Sequence, residues 1–169
     1  MIRVQHSHLR VAALSHPGMT GKQNEDRYGV SAYHLGASDP TPAVFAIVSD
    51  GIGGHRAGEV AAEMAVETIS RTVAESAGRQ PLVTLKQAIQ VASQQIADQA
   101  REDTQRLGMG TTSACTWIIS DRLYTVSAGD SRIYHFHSNR LVKRTMDHSY
   151  VQTLVDRGEL TEEEANVHP

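Results

Sequence analysis

Three short segments place carboxylates where loops meet strands. Glu25-Asp26 closes a loop that begins around Pro17 and Gly18, Asp50-Gly51 ends a continuous apolar run, and Asp130 sits in a tight Gly-Asp-Ser turn. Carboxylates gathered at strand ends repel one another unless protons or cations intervene. Hard oxygen ligands of this kind favour Mg²⁺, Mn²⁺ or Ca²⁺ over metals that prefer thiolates. Asp50 is the foremost of these residues, because a buried strand holds it rigidly. Gly51 beside it leaves a carbonyl open to a cation, Gly53 and Gly54 permit close approach of backbone and substrate, and His55 is placed to give a proton to a leaving group. The helix expected to begin nearby adds free N–H groups that favour an anion. Taken singly, each residue also has an ordinary reading. Asp-Gly after a strand is most often a turn, Glu25-Asp26 a solvated loop, Asp130 a turn former paired with Arg132, and His55 a surface histidine. Spacing alone leaves these readings open.

Several other chemistries are excluded by what the motifs lack. The stretch GIGGHRAGE at 51–59 has no Gly-Lys-Ser/Thr ending, so it is not a nucleotide P-loop. Arg56 stands where a dinucleotide fingerprint needs its last glycine. Cys115 is followed by no arginine-bearing phosphate loop, there is no Gly-x-Ser-x-Gly elbow, and the histidines other than His55 lack the spacing of a zinc site. Cys115, in an apolar run, reads as a small core residue.

The elements that must position the acidic residues follow from hydrophobic period. Leu9, Val11 and Ala13 alternate with polar or small residues and predict a half-buried strand; RYGVSAY at 27–33 predicts a second. Ala43 to Val48 is apolar throughout and predicts a buried strand ending at Asp50. From about Ala57 to Ser76 the period becomes helical, with Ala61, Ala65, Ile69 and Val73 on one face. Leu82, Leu85, Ile89, Ala92 and Ile96 mark a second helix, packed antiparallel to the first. Strands return at 111–119, 123–128 and 132–137, separated by turns at Ser120-Asp121-Arg122 and Gly129-Asp130-Ser131. A short helix follows from Ser149, and Thr161 with Glu164 forms a capping-box pattern. Strands, a helix pair and strands again predict an α+β fold with antiparallel sheet rather than a doubly wound parallel one.

Length and composition set outer bounds. A chain of 169 residues with 40% hydrophobic and 21% charged residues is ordinary for one globular domain and excludes disorder. A net charge of −3 leaves no basic footprint for nucleic acid or an anionic membrane. A single cysteine forms no internal disulfide and fits a reducing compartment. With no apolar run long enough for a signal peptide or a span, the expectation is a soluble, cytoplasmic protein.

Five segments in order resemble the metal-dependent Ser/Thr protein phosphatases, the PPM or type 2C family, in their compact bacterial form. They are NED at 24–26, SDGIGGHRAGEVAA at 49–62, MGTTSAC at 109–115, AGDSRIY at 128–134, and the segment from Met146 to Pro169, which resembles the family's flap from about residue 147. The resemblance implies a layered antiparallel β-sandwich flanked by helix pairs, with residues 1–169 a single partial domain of that kind. It implies that Asp50 bridges two Mg²⁺ or Mn²⁺ ions, that the Gly51 carbonyl binds one of them, and that Glu25 and Asp26 act directly or through bound water. It further implies that Asp130 helps hold a weaker third ion and that His55 protonates the leaving alkoxide. The implied reaction is hydrolysis of phosphoserine and phosphothreonine in proteins, the products of a cognate kinase, by a water activated between the metals. Such a reaction needs no protein nucleophile, in keeping with the absent Ser and Cys motifs. The implied full-length protein is a monomer.

Two departures accompany the resemblance. The family's phosphate-clamping arginine falls at Gly21, with Lys22 next to it as a substitute; a lysine supplies charge but not a bidentate fork. The family's further ligand aspartates, in a second Ser-Asp-Gly segment and an Asp-Asn segment, have no counterpart before Pro169. The expectation is therefore the N-terminal portion of a phosphatase domain, without the second helix pair and the last strands, whose own turnover is small and whose exposed sheet edges favour aggregation. The alternative is a catalytically inactive, phosphatase-like binding module. A phospho-acceptor domain of the receiver type, with Asp50 taking the phosphoryl group, is disfavoured because residues 26–43 leave no room for a helix beside the strand.

Overall fold

The computed structural model describes residues 1–19, 23–53 and 57–165. Strands β1 (Ile2–Val4), β2 (Arg27–His34), β3 (Pro42–Ser49), β6 (Ser113–Ile119) and β7 (Arg122–Ala128) form one sheet in the order β1-β2-β3-β6-β7. Every neighbouring pair in it is antiparallel. Between β3 and β6 the chain makes β4 (Gly51–Ile52), helices α1 (Ala57–Glu75) and α2 (Pro81–Glu102), and β5 (Gly110–Thr111), which pairs with β4. A separate hairpin, β8 (Tyr134–His137) and β9 (Arg140–Lys143), and two short helices, α3 (Tyr150–Asp156) and α4 (Glu162–Ala165), complete the described chain. This is the expected α+β architecture, with a large antiparallel sheet and a helix pair as two of its layers.

Alternation along β3 decides which face is covered. Ala43, Phe45 and Ile47 point to one side together with Tyr33, Cys115 and Trp117, and meet Ala61, Ala65, Ile69 and Val73 of α1 and Leu85, Ala88 and Ala92 of α2. The predicted α1 face is buried in full. On α2 the buried stripe is Leu85, Ala88, Ala92 and Ile96, whereas Leu82, expected on that face, is exposed because it lies in the first turn, next to Pro81. Small residues on both helices let them approach the sheet and each other, and Thr68 of α1 donates to Gln95 of α2 at 2.7 Å. Phe45 and Trp117, cross-strand partners, meet edge to face with centroids 6.5 Å apart. The opposite face of the sheet carries Tyr28, Val30, Val48 and Leu123, all substantially exposed.

Leu9 to Ala13 is not a strand. The edge of β2 that it would have joined is filled by β1, with Ile2 opposite His34. Val11 to Leu14 instead line a cleft on the outer face with Tyr28, Val30 and Val48 and stay exposed, so their alternation marks neither a backbone ladder nor burial. The run expected at 111–119 is broken at Thr112, which serves two sheets' ends rather than one strand. The strand expected from Arg132 begins only at Tyr134, and its partner β9, which the sequence reading missed, is reached through Ser138 and Asn139, both with positive φ (48° and 60°) as a tight hairpin requires. The capping box is formed: the Glu164 carboxylate accepts from the Thr161 amide at 2.8 Å, and the Glu164 amide donates to Thr161 Oγ1 at 3.2 Å.

Trp117 is fully buried at the centre of this core, so Trp117→Ala should lower stability by about 3–5 kcal/mol in urea unfolding. Trp117→Phe should lose much less, because the indole N–H has no hydrogen-bond partner among the described residues.

Candidate metal centre

The sheet register brings the acidic segments to one end. The β2–β3 ladder finishes at Arg27 opposite Ser49, so Asp26 and Asp50 stand opposite one another one step beyond it. On the other side of Asp50, its amide donates to Thr112 Oγ1 at 3.0 Å, and its carbonyl accepts from the Thr112 amide and the Thr111 hydroxyl, both at 2.9 Å. The β6–β7 ladder begins at Ser113 opposite Ala128, which sets Gly129 next to Thr112. Gly129 has φ +93°, and a Cβ there would come within 2.8 Å of the Thr112 side chain, so the turn that carries Asp130 needs glycine at this place. Thr112 Oγ1 lies 2.6 Å from Ser131 Oγ, which ties the Asp130 turn to the Asp50 strand end.

Electrostatics report the same convergence. The Asp50 carboxyl is held above its ordinary range, first by partial burial, then by the charge of Asp26 and a hydrogen bond to it, then by the charges of Asp130 and Glu25. Three acidic side chains, Asp26, Asp130 and Glu25, therefore act on Asp50 at this end of the sheet. Among the described residues no three His, Cys, Asp or Glu side chains are grouped closely enough to hold a metal ion. The donors are oxygen atoms, the chemistry that hard divalent cations take. Cys115 is remote from this role: burial pushes its thiol up to about 12, and it serves the core.

Of the residues singled out from the sequence, Glu25, Asp26, Asp50, Gly51 and Asp130 are brought together. Gly51 is buried and paired with Thr111 across β4 and β5. Lys22 and His55 lie outside the described residues. The expected pairing of Asp130 with Arg132 is not made. Arg132 instead donates to Asp147 Oδ2 from Nε at 2.9 Å and from Nη2 at 2.6 Å, with Lys143 Nζ 3.5 Å from the other carboxylate oxygen. Asp147 is nearly buried and sits at the start of the flap-like segment, so it competes better for the guanidinium than exposed Asp130 does. The next residue reinforces the tie: the His148 amide donates to Gly129 O at 3.0 Å. The sequence reading also passed over Thr112, whose only signal is its place in a Thr-Thr pair before a strand, and the Arg27–Glu59 ion pair, 32 residues apart, for which there is no local signal.

The family profile described as protein phosphatase 2C matches residues 19–164. The chain belongs to the protein phosphatase 2C family. It is similar to the serine/threonine protein phosphatase PstP of Mycobacterium tuberculosis, at 35% identity over 161 residues, covering 95% of this chain and 29% of that protein. It is also similar to the serine/threonine phosphatase stp of Listeria welshimeri, at 37% identity over 156 residues, covering 90% of this chain and 60% of that protein. Among solved structures, Stp1 from Staphylococcus aureus superposes with a TM-score of 0.79 at 30% identity, over 98% of this chain and 66% of that one. The catalytic domain of PstP in complex with two manganese ions superposes with a TM-score of 0.66 at 32% identity, over 83% of this chain and 64% of that one. This protein phosphatase 2C chain thus spans less than two thirds of the length of these relatives. None of its described helices is long and apolar enough to cross a membrane.

The raised Asp50 carboxyl has a consequence for stability. A carboxyl held above its unfolded value favours folding while protonated, and that contribution is lost as pH rises through the folded value. Without divalent cations, Asp50→Asn should therefore melt at a higher temperature than the parent at neutral pH. The difference should close as the pH falls toward the ordinary carboxyl value of 3.8, as followed by thermal unfolding across pH.

Proposed function

We propose that this chain carries the Asp50-centred part of a divalent-metal centre that hydrolyses phosphoserine and phosphothreonine in proteins. The observation that carries the reading is the register, which sets Asp26, Asp50 and the Asp130 turn side by side. The printed descriptions of the relatives, serine/threonine phosphatases and one catalytic domain with two manganese ions, support it. Glu25, Asp26, Asp50 and the Gly51 carbonyl would hold two Mg²⁺ or Mn²⁺ ions, and Asp130 would contribute to a weaker third. Cations so held lower the pKa of water and offset charge on phosphoryl oxygens. The chain's own residues supply the rest. Asp50 is fixed through its backbone to Thr111 and Thr112, so the acidic end does not have to reorganise. His55 gives a proton to the departing serine or threonine oxygen, and Lys22 offers charge to the phosphate. No side chain attacks phosphorus, and the buried, protonated Cys115 thiol is unsuited to it. Because the family's two further ligand aspartates have no counterpart in residues 1–169, the chain by itself would bind the cations weakly and turn over little. The activity belongs to a protein with the full ligand set, acting on the products of a protein kinase.

Mn²⁺-dependent release of phosphate from a phosphothreonine peptide by the whole protein tests this. Asp50→Asn should reduce the rate by about 10²-fold or more, the scale of losing a key charge-stabilising contact. Tight phosphopeptide binding with no turnover at saturating Mn²⁺ would overturn hydrolysis in favour of a binding module. His55→Ala should slow the phosphothreonine peptide by about 10²–10⁴-fold, the usual range for loss of a general acid. It should slow p-nitrophenyl phosphate far less, because nitrophenolate leaves without a proton.

A further inference from the structure

We propose that the first turn of α1 is a clamp that sets the position of Glu25, with Gly58 providing the space for its carboxylate and Glu59, through Arg27, holding its backbone. The proposal rests on the reading of Glu25 and Asp26 as cation ligands. A Cβ on Gly58 would stand 2.5 Å from Glu25 Oε2, 2.9 Å from Glu25 Cδ and 2.9 Å from the Gly51 carbonyl carbon. A Cβ on Gly51 would stand 2.1 Å from Gly58 O and 2.9 Å from Glu25 O. The loop before β2, strand β4 and helix α1 therefore meet with no clearance for a methyl group, and the Glu25 carboxylate rests on the helix backbone.

Arg27 secures the same loop from the other side. Its Nη1 donates to Asn24 O at 3.2 Å and to Asp26 O at 2.8 Å, the carbonyls on either side of Glu25. Its Nη2 is paired with Glu59 Oε1, and Gln23 Nε2 donates to the other Glu59 oxygen. The Arg27 and Glu59 side chains are 30% and 24% exposed, so the pair is screened less than one on open surface. Glu59 also sits in the first helical turn, where a negative charge is favoured. Committed in this way, Arg27 is not free to take the phosphate in place of the arginine missing at Gly21. Glu25 is thus held at three points that belong to one helical turn or are tied to it, and each is a positioning contact rather than a ligand.

The test uses Gly58→Ala and Glu59→Ala, with Ile69→Val as a control that trims the buried α1 face without touching the clamp. Mn²⁺ affinity is read by the loss of the free-ion electron paramagnetic resonance signal, and loop order by amide hydrogen exchange at residues 24–27 without metal. Both clamp variants should bind Mn²⁺ about tenfold more weakly, the low end of what lost outer contacts do to metal sites, and Glu59→Ala should speed exchange in the loop. Ile69→Val should change the melting temperature but neither readout. Unchanged Mn²⁺ affinity in both clamp variants, with Asp50→Asn still abolishing binding, would overturn the clamp and leave the metal centre standing. If the parent, as chain and as whole protein, binds no Mn²⁺, the ligand reading fails. Loop exchange then decides the clamp alone, and no change in Glu59→Ala overturns it.

Discussion

The antiparallel register of β2, β3, β6 and β7 is the constraint on which the rest depends. Each ladder fixes its neighbour to within one residue, since a slip of one would turn every core side chain to the wrong face. Phe45 against Trp117 and Ile47 against Cys115 hold that register from the buried side. The acidic end inherits it: with Arg27 opposite Ser49 and Ser113 opposite Ala128, Asp26, Asp50, Thr112 and Gly129 fall into one row. The core and the acidic row are two readouts of one alignment.

What the register brings together, charge would push apart. Asp50 lies near Asp26, Asp130 and Glu25, and its carboxyl is raised accordingly. Among the described residues, neutral hydroxyls and backbone surround this end: Thr111 and Thr112 bind the Asp50 main chain, and Ser131 the Thr112 hydroxyl. The strong ion pairs lie one layer out. Arg27 with Glu59 faces the helix, and Arg132 with Asp147 faces the hairpin. They brace the loops that carry the acidic residues and, among the described residues, are not spent on Glu25, Asp26, Asp50 or Asp130.

Much of this was legible from the residues. The apolar run before Asp50 showed the strand, the 3.6-residue period at Ala61, Ala65, Ile69 and Val73 showed α1, and turn residues at Gly129-Asp130 marked the neighbouring strand end. Period alone, however, fixes neither burial nor hydrogen bonding: Leu9, Val11 and Ala13 alternate yet lie exposed outside any ladder, and Leu82 keeps the helical spacing yet is exposed in the first turn of α2. β9 was missed because its four residues are all exposed and so carry no apolar period. The clamp at Gly51, Gly58 and Arg27 was invisible for a different reason. It joins segments more than 20 residues apart, and a glycine chosen for its lack of bulk looks the same in a sequence as one chosen for a turn. The match of Asp50, Asp130 and their flanking motifs to a known family conveyed the grouping that spacing alone left open.

The placement of the lone thiol has a consequence for how the protein would meet oxidants. Cys115 is fully buried on β6, behind the helix pair, and remains protonated far above neutral pH. Oxidation by peroxide begins on a thiolate that solvent can reach. With its one thiol sealed in the core, away from the acidic end of the sheet, this chain offers peroxide no such starting point.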